Sequence, residues 1–194
     1  QLQVATNTQS AVGGDLSQNN NWYHISVVRV SGVLKAYIDG VRVIKKESWN
    51  HDYTGTSMIL IGTQNHMTWH DHDKSWYYFQ GWIDDFRIIK GEAVYPCHHD
   101  PITTELTDCV CPILEPTCDD VVLHIQPTST DTILDKSISN HTVTAVAGAA
   151  YSEDQTIFTT GGVKFTGGTT TNSHYYFHGS HLEVSASDDF LFDG

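Results

Sequence analysis

Short segments of alternating apolar and polar residues, each closed by turn residues, recur along almost the whole chain. Residues 22–30 are rich in β-branched and aromatic side chains, and residues 34–38 and 41–44 flank Asp39-Gly40, a pair that favours a type I′ hairpin. Helical periodicity is hard to find. Strands at this density, with turn signals between them, predict an all-β fold built as an antiparallel β-sandwich.

The predicted strands fall into two blocks. Further strands are predicted at 58–61, 77–79, 82–89, 121–125, 142–146, 162–165, 175–177 and 181–184. The composition changes at 95–119, a stretch dense in both Pro and Cys. The sequence therefore predicts a first β block over 1–95, a Cys- and Pro-rich connector over 96–119 and a second β block over 120–194.

The charge balance narrows the range of partners. The formal net charge of −13 at pH 7 repels nucleic acid and anionic membrane surfaces. The apolar runs are far shorter than the roughly 20 residues needed to cross a bilayer. Asp outnumbers Glu by 17 to 6, a bias typical of loops between strands and of cation binding. We expect no nucleic-acid partner and no membrane insertion.

The first block carries three motifs in a fixed order: WYHISVVRVSGVLKAYIDGVRV from residue 22, ILIGTQ from residue 59 and YYFQGWIDDFRIIKGEAVY from residue 77. Together they resemble the second half of a laminin-G-like, concanavalin A-type jelly roll, over about residues 22–95. The last motif is similar to modules found in phage and other viral structural proteins and in bacterial surface adhesins.

The second block carries VVLHIQPTSTDTILDKSISNHTV from residue 121, GGVKF from residue 161 and HYYFHGSHLEVSASDDFLF from residue 174. It resembles the first half of the same kind of domain. Two arrangements are open: the halves belong to adjacent modules of a tandem array, or they complement each other as one permuted or head-to-tail sandwich. A half-sandwich alone would leave strand edges unpaired, which monomers avoid.

The resemblance implies a non-catalytic module for adhesion on an extracellular, cell or virion surface, with glycans or neighbouring copies as partners. A purely structural subunit or repeat of a fibre or capsid-associated assembly is the alternative. A glycan hydrolase is a distant third, because such enzymes need two carboxylates about 5 to 10 Å apart. No Glu in the sequence has an acidic residue at i+2, so we predict no enzymatic activity.

The segment between the predicted strands at 58–61 and 77–79 is longer than a connection requires. Its candidate glycan- or partner-binding residues are Asn65, Trp69, His70, Asp71, His72, Asp73 and Trp76. Aromatic rings stack on the C–H faces of sugars, while carboxylates and amides hydrogen-bond the hydroxyls. The alternatives are packing against a neighbouring module and metal binding through His70 and His72. Trp49, on another loop, is a candidate extension of this surface together with His51 and Tyr53.

Asp84 and Asp85 lie on the predicted strand 82–89, whose alternation puts four residues on one face: Trp82, Asp84, Phe86 and Ile88. A carboxylate among apolar neighbours needs a hydrogen-bond partner or a cation. Because jelly rolls of the type resembled often carry calcium, Ca²⁺ is the candidate cofactor. The alternative is a carboxylate satisfied by a backbone amide or near Arg87.

Four cysteines, Cys97, Cys109, Cys111 and Cys118, fall within the connector. Since Cys109 and Cys111 are too close to pair with each other, Cys97 is expected to bond one of them and Cys118 the other. Disulfides would place the chain in an oxidising compartment. A zinc site that uses His98 or His99 and free thiols are the alternatives.

Asn140-His141-Thr142 matches the sequon for N-linked glycosylation in a predicted surface turn. Asn140 is therefore a candidate glycosylation site. The motif is short, and it has a meaning only in a chain that passes through a eukaryotic secretory compartment.

Overall fold

The computed structural model describes residues 1–6, 8–17, 20–50, 58–64, 77–95, 99–100, 120–127, 132–157, 161–168 and 179–191. This part of the chain contains strands, turns and a 3-10 turn at Asp188–Phe190, and no α-helix. Nine strand pairs in this part of the chain are antiparallel. The predicted all-β class and antiparallel pairing are confirmed.

The described strands are β1 (Leu2–Ala5), β2 (Ser10–Gly13), β3 (Ile25–Val30), β4 (Val33–Ile38), β5 (Val41–Lys46), β6 (Ile59–Ile61), β7 (Thr63–Gln64), β8 (Tyr77–Tyr78), β9 (Gln80–Ile83), β10 (Phe86–Ile89), β11 (Val121–Pro127), β12 (Ile133–Asp135), β13 (Val143–Val146), β14 (Ala150–Ser152), β15 (Gly162–Thr166) and β16 (His181–Val184). They fall into two compact units. Unit 1 draws on the described residues within 1–55, 89–120 and 190–194, and unit 2 on those within 56–88 and 121–189.

Unit 1 is built from two hairpins. One is the β1–β2 ribbon and the other belongs to the sheet β3-β4-β5. At the β4–β5 turn, Asp39 and Gly40 have φ angles of 48° and 74°, and Ile38 pairs with Val41. Two successive positive φ angles are the signature of a type I′ turn, whose twist matches that of the strands. The hairpin predicted from the Asp-Gly pair is confirmed.

The core of unit 1 lies between these two layers. Leu34, Ala36, Ile44 and Trp49 form a buried cluster, against which apolar side chains of β1, β2 and β5 pack. Trp49 is only 1% exposed, and its backbone amide donates to the Gly32 carbonyl at 2.7 Å. Trp49 is therefore a core residue and does not extend a surface of exposed aromatic rings.

Unit 2 combines strands from both predicted blocks. Its described sheets have the strand orders β13-β16-β6, β14-β15-β9, β10-β11-β12 and β7-β8. In three of them a strand of the first block pairs directly with a strand of the second: β6 with β16, β9 with β15, and β10 with β11. Buried apolar side chains of β15 and β16 supply much of the interior, among them Val163, Phe165, Leu182 and Val184.

One predicted strand is interrupted. The segment 82–89 forms two strands, β9 and β10, which are separated by Asp84 and Asp85. Asp85 has a φ of 50°, in the left-handed region that a regular strand excludes. The prediction of an unbroken alternation from Trp82 to Ile88 is therefore wrong at its centre. The strand predicted at 175–177 lies outside the described residues.

Within the described residues there is no helix of the length and apolar character that spanning a membrane requires.

Candidate functional site

The seven residues that the sequence assigns to glycan or partner recognition all lie in 65–76, outside the described residues. The strands on either side are described. Thr63 of β7 pairs with Tyr78 of β8, and Gln64 pairs with Tyr77. The chain therefore leaves the described part after Gln64 and re-enters it at Tyr77 from directly opposed positions on one two-stranded ribbon.

The ring of Tyr78 lies against a bridge between two glycines. Gly168 and Gly179 form an isolated antiparallel bridge, and a Cβ atom on either residue would collide with the Tyr78 ring. Glycine is required here because the aromatic ring occupies the space of a side chain. The ribbon that flanks 65–76 thus contacts the backbone that flanks 169–178.

Ser180 fixes the backbone beside this bridge. Its hydroxyl oxygen accepts hydrogen bonds from the amides of Thr166 at 2.7 Å and Gly167 at 3.0 Å. The amide of Ser180 donates to the Gly167 carbonyl at 2.9 Å. Ser180 itself is buried, and these partly buried bonds hold the ends of β15 and β16 together.

The acidic pair Asp84-Asp85, the candidate calcium site, occupies the turn between β9 and β10. Oδ1 of Asp85 lies 3.5 Å from Nε2 of His124 in β11, and both side chains are buried. The sequence did not indicate this imidazole partner. Asp84 is also partly buried and takes part in interactions of its own.

Asp135, at the end of β12, organises the backbone around that histidine. Oδ1 of Asp135 accepts from the amides of His124 and Ser137, both at 2.9 Å. Oδ2 accepts from the Ser137 hydroxyl at 2.9 Å and from the amide of His141 at 2.8 Å. A buried carboxylate with four donors is fully satisfied, so Asp135 is a structural residue. We name these residues the Asp135 hub.

The sequence analysis missed this hub. Its signal was present in the segment DKSISNHTV, where an Asp two residues before a Ser favours an Asx-type turn. The bond to the His124 amide spans 11 residues and leaves no local signal.

The described part of the chain contains no preformed cluster of metal ligands. No group of three or more His, Cys, Asp or Glu side chains is placed there to hold an ion. Calcium prefers six to eight oxygen ligands, whereas one partner of Asp85 is an imidazole nitrogen. Calcium binding at Asp84 and Asp85 stays a prediction.

A cluster of aromatic and imidazole rings marks the start of the connector in unit 1. The His99 ring stacks on Tyr95, with centroids 4.3 Å apart, and meets the rings of His24 and Tyr37 edge to face. The amide of His99 donates to the Gly40 carbonyl at 3.3 Å. Burial, together with the nearby His99, lowers the pKa of His24 from its ordinary value, and Asp39 opposes the shift.

The four connector cysteines and His98 lie outside the described residues, so the disulfide and zinc alternatives stay predictions. The residues on the two sides of the connector are joined, because the amide of Lys90 donates to the Asp120 carbonyl at 2.8 Å. Asn140 is described, and its side chain is exposed in the turn before β13.

With the fold and these contacts in view, the comparisons with known families agree with the motifs of the first block. Residues 1–93 match a laminin-G-type family model described as the concanavalin A-like lectin/glucanases superfamily. The match supports a laminin-G-like domain in this part of the chain, and members of that superfamily commonly bind carbohydrates or proteins. The resemblance of 120–194 to the first half of such a domain stays a prediction. No curated protein and no solved structure matched the chain significantly.

Proposed function

We propose that the chain is a non-catalytic module of an extracellular, cell or virion surface that serves adhesion by binding glycans through the segment 65–76. The observation that carries the proposal is the match of residues 1–93 to the lectin/glucanases superfamily. A lectin-type sandwich supplies rigid strands, and the loops between those strands supply the recognition residues.

The composition of the segment suits a sugar ligand. Trp69 and Trp76 offer ring faces for stacking on pyranose C–H groups, and Asp71, Asp73 and Asn65 offer acceptors and a donor for hydroxyl groups. The paired strands β7 and β8 flank the segment, so its two ends meet the described fold at one place.

A second aromatic segment joins the fold close by. The bridge Gly168–Gly179, against which Tyr78 packs, flanks residues 169–178. That segment contains Asn172, His174, Tyr175 and Tyr176. Both segments carry the residue types that sugar recognition uses, and the described residues beside them, Tyr78, Gly168 and Gly179, are in contact on unit 2.

The contacts of two buried carboxylates, Asp135 and Asp85, support a role without catalysis. A glycosidase needs one carboxyl group to donate a proton and a second to act as nucleophile or base, both facing the sugar. Asp135 has its oxygens occupied by four donors, and Asp85 faces a buried imidazole. Neither carboxylate is available to a substrate.

A glycan array probed with the full chain tests the proposal. We expect binding to a subset of glycans at up to millimolar concentration, and loss of that binding in Trp69→Ala and Trp76→Ala. Trp22→Ala is the matched control, because it makes the same truncation in unit 1, outside the segment. Absence of binding above background, or equal loss in all three variants, contradicts glycan recognition by this segment.

The second candidate, a structural subunit that contacts neighbouring copies, is favoured by one observation in unit 1. Ile25 and Val27 of β3 pair with Ile38 and Ala36, so they lie on the face that holds the core, yet they are 45% and 49% exposed. Sedimentation velocity of the wild type and Val27→Glu separates the candidates. Self-association that Val27→Glu abolishes, without glycan binding, favours the structural role.

A further inference from the structure

The sequon Asn140-His141-Thr142 lies in the turn that leads into β13, and it is the only Asn-x-Ser/Thr motif in the sequence. Asn140 and Thr142 are both exposed. His141, between them, points toward the protein: its ring is mostly buried, and Nε2 lies 3.2 Å from Oδ2 of Asp189. The two residues that a glycosylating enzyme must recognise therefore face outward.

The Asp135 hub holds this turn from the inside. The carboxylate of Asp135 binds the amide and hydroxyl of Ser137 before Asn140, and the amide of His141 after it. The amide of Asn140 donates to the Ser137 carbonyl at 3.2 Å. Because the backbone on both sides is drawn toward one buried carboxylate, the side chain of Asn140 is directed to solvent.

The backbone conformation also suits the residue. Asn140 has a φ of 46°, in the left-handed region. Asn is among the few residues other than glycine that adopt this conformation routinely. A modification of the side-chain amide would leave this backbone unchanged.

An apolar side chain next to the sequon gives an attached sugar a surface to cover. Ile138 is 62% exposed, the highest value among the large hydrophobic residues in the described part of the chain. It lies two residues before Asn140 in the same turn. Because Ile138 and Asn140 are so near in sequence, the C–H face of a sugar attached to Asn140 can shield the Ile138 side chain from water.

We propose that Asn140 is an N-glycosylation site and that its glycan covers Ile138. In the reaction, Nδ2 of Asn140 forms a bond to the anomeric carbon of an oligosaccharide donated as a lipid pyrophosphate. The bond from that carbon to the pyrophosphate oxygen breaks, the lipid pyrophosphate leaves with the electron pair, and one amide proton is released. This attached glycan is independent of the glycan binding proposed for 65–76.

Secretion of the full chain from a eukaryotic host, followed by intact mass measurement, tests the proposal. We expect a mass increase that peptide N-glycosidase removes, leaving Asp at position 140. The increase should be lost in Asn140→Gln and Thr142→Ala and retained in Thr142→Ser, which keeps the hydroxyl of the sequon. Wild-type protein secreted at its unmodified mass, or sugar retained in Asn140→Gln, overturns the assignment.

A hydrophobic dye tests the covering of Ile138. We expect the glycosylated wild type to bind less dye than the same protein after enzymatic deglycosylation, and Ile138→Ser to remove that difference. A difference that persists in Ile138→Ser overturns the covering role. Because Ile138 and Asn140 are both exposed, we expect circular dichroism of all variants to match that of the wild type.

Discussion

Nε2 of His124 lies 3.5 Å from Oδ1 of Asp85, and their side chains are 1% and 6% exposed. The two residues are 39 positions apart in sequence. Asp85 closes the turn between β9 and β10 in the first block, whereas His124 lies at the centre of β11 in the second block. This buried contact is one of the places where the two blocks meet inside unit 2.

Replacing Asp85 by Asn tests the contribution of the contact. Asn tolerates the positive φ of this position, so the backbone is preserved while the charge is removed. We expect the free energy of unfolding to fall by about 1 to 3 kcal/mol, the usual loss when a buried polar partner is weakened. Urea unfolding followed by circular dichroism measures it. Asp188→Asn, the same change at an exposed position, is the control and should match the wild type.

We expect substitution in the Asp135 hub to destabilise the protein more than substitution of Asp85 does. In Asp135→Asn one carboxylate oxygen becomes an amide NH₂, which faces two donors instead of accepting from them. We expect a loss of about 3 kcal/mol in the free energy of unfolding. Asp154→Asn is the control, because Asp154 makes an exposed contact with Lys164 at 2.7 Å and its loss should not shift the transition. Equal unfolding transitions in Asp135→Asn and Asp154→Asn would show that the hydrogen bonds of the hub do not stabilise the fold.

Local features of this fold were predictable from sequence, and non-local ones were not. The Asp39-Gly40 hairpin is determined by two adjacent residues, so its strands and turn followed directly from the chain. The hub depends on a bond from Asp135 to the amide of His124, which only the pairing of β11 with β12 brings about. Trp49 looked like an exposed loop residue because its burial depends on the β1–β2 ribbon.

Because the pKa of His24 is lowered in the folded state, the stability of unit 1 depends on pH in a defined direction. Above the ordinary pKa of 6.5 the imidazole is neutral in both the folded and the unfolded chain, and its contribution to stability is complete. As the pH falls below that value the unfolded chain binds the proton first, so stability decreases until the lowered folded pKa is reached.

Hydrogen exchange at the amide of Asp39, which donates to the His24 carbonyl at 2.8 Å, reports on this region. We expect the opening free energy at this amide to decrease between pH 7 and pH 5 in the wild type. His24→Phe keeps a ring against Tyr95 and His99 but has no titrating group, so its opening free energy should change less. Identical pH profiles for the two proteins would refute a role for His24.

Substitutions at two glycines with similar φ angles, Gly40 and Gly32, distinguish the cost of backbone strain from the cost of a collision with His99. Gly40 and Gly32 have φ angles of 74° and 71°, and each substitution by Ala carries a backbone cost of about 1 to 2 kcal/mol. A Cβ on Gly40 would also collide with the carbonyl of His99, whereas at Gly32 the closest atom is Oδ1 of the Asn50 side chain, at 2.9 Å.

We therefore expect Gly40→Ala to lower the thermal midpoint more than Gly32→Ala. Only Gly40→Ala should also alter the side-chain NMR signals of His99 and Tyr95, because only that change displaces the backbone under the ring cluster. The same thermal loss in both variants, with those signals unchanged, would show that His99 does not pack on the β4–β5 turn.

The recognition residues could be proposed from sequence but not positioned. The aromatic and acidic composition of 65–76 is visible in the chain itself. Tyr78, which follows 65–76, packs against Gly168 and Gly179, the described residues on either side of 169–178. These glycines come about a hundred residues later in the chain than Tyr78. Contacts at that separation are created by strand pairing and leave no periodic signal in either segment.

The pairing of β9 with β15 within one chain is the relationship on which the account of unit 2 depends. Gln80 and Thr166 are directly opposed and both exposed, so cysteines at these positions fall within disulfide range. In Gln80→Cys/Thr166→Cys we predict an oxidised monomer whose 80–166 disulfide is found by peptide mapping. Gln80→Cys/Ala150→Cys, which joins strands that are not neighbours, should form no such bond. A disulfide found only between two chains, or absent in the first variant, would contradict the pairing.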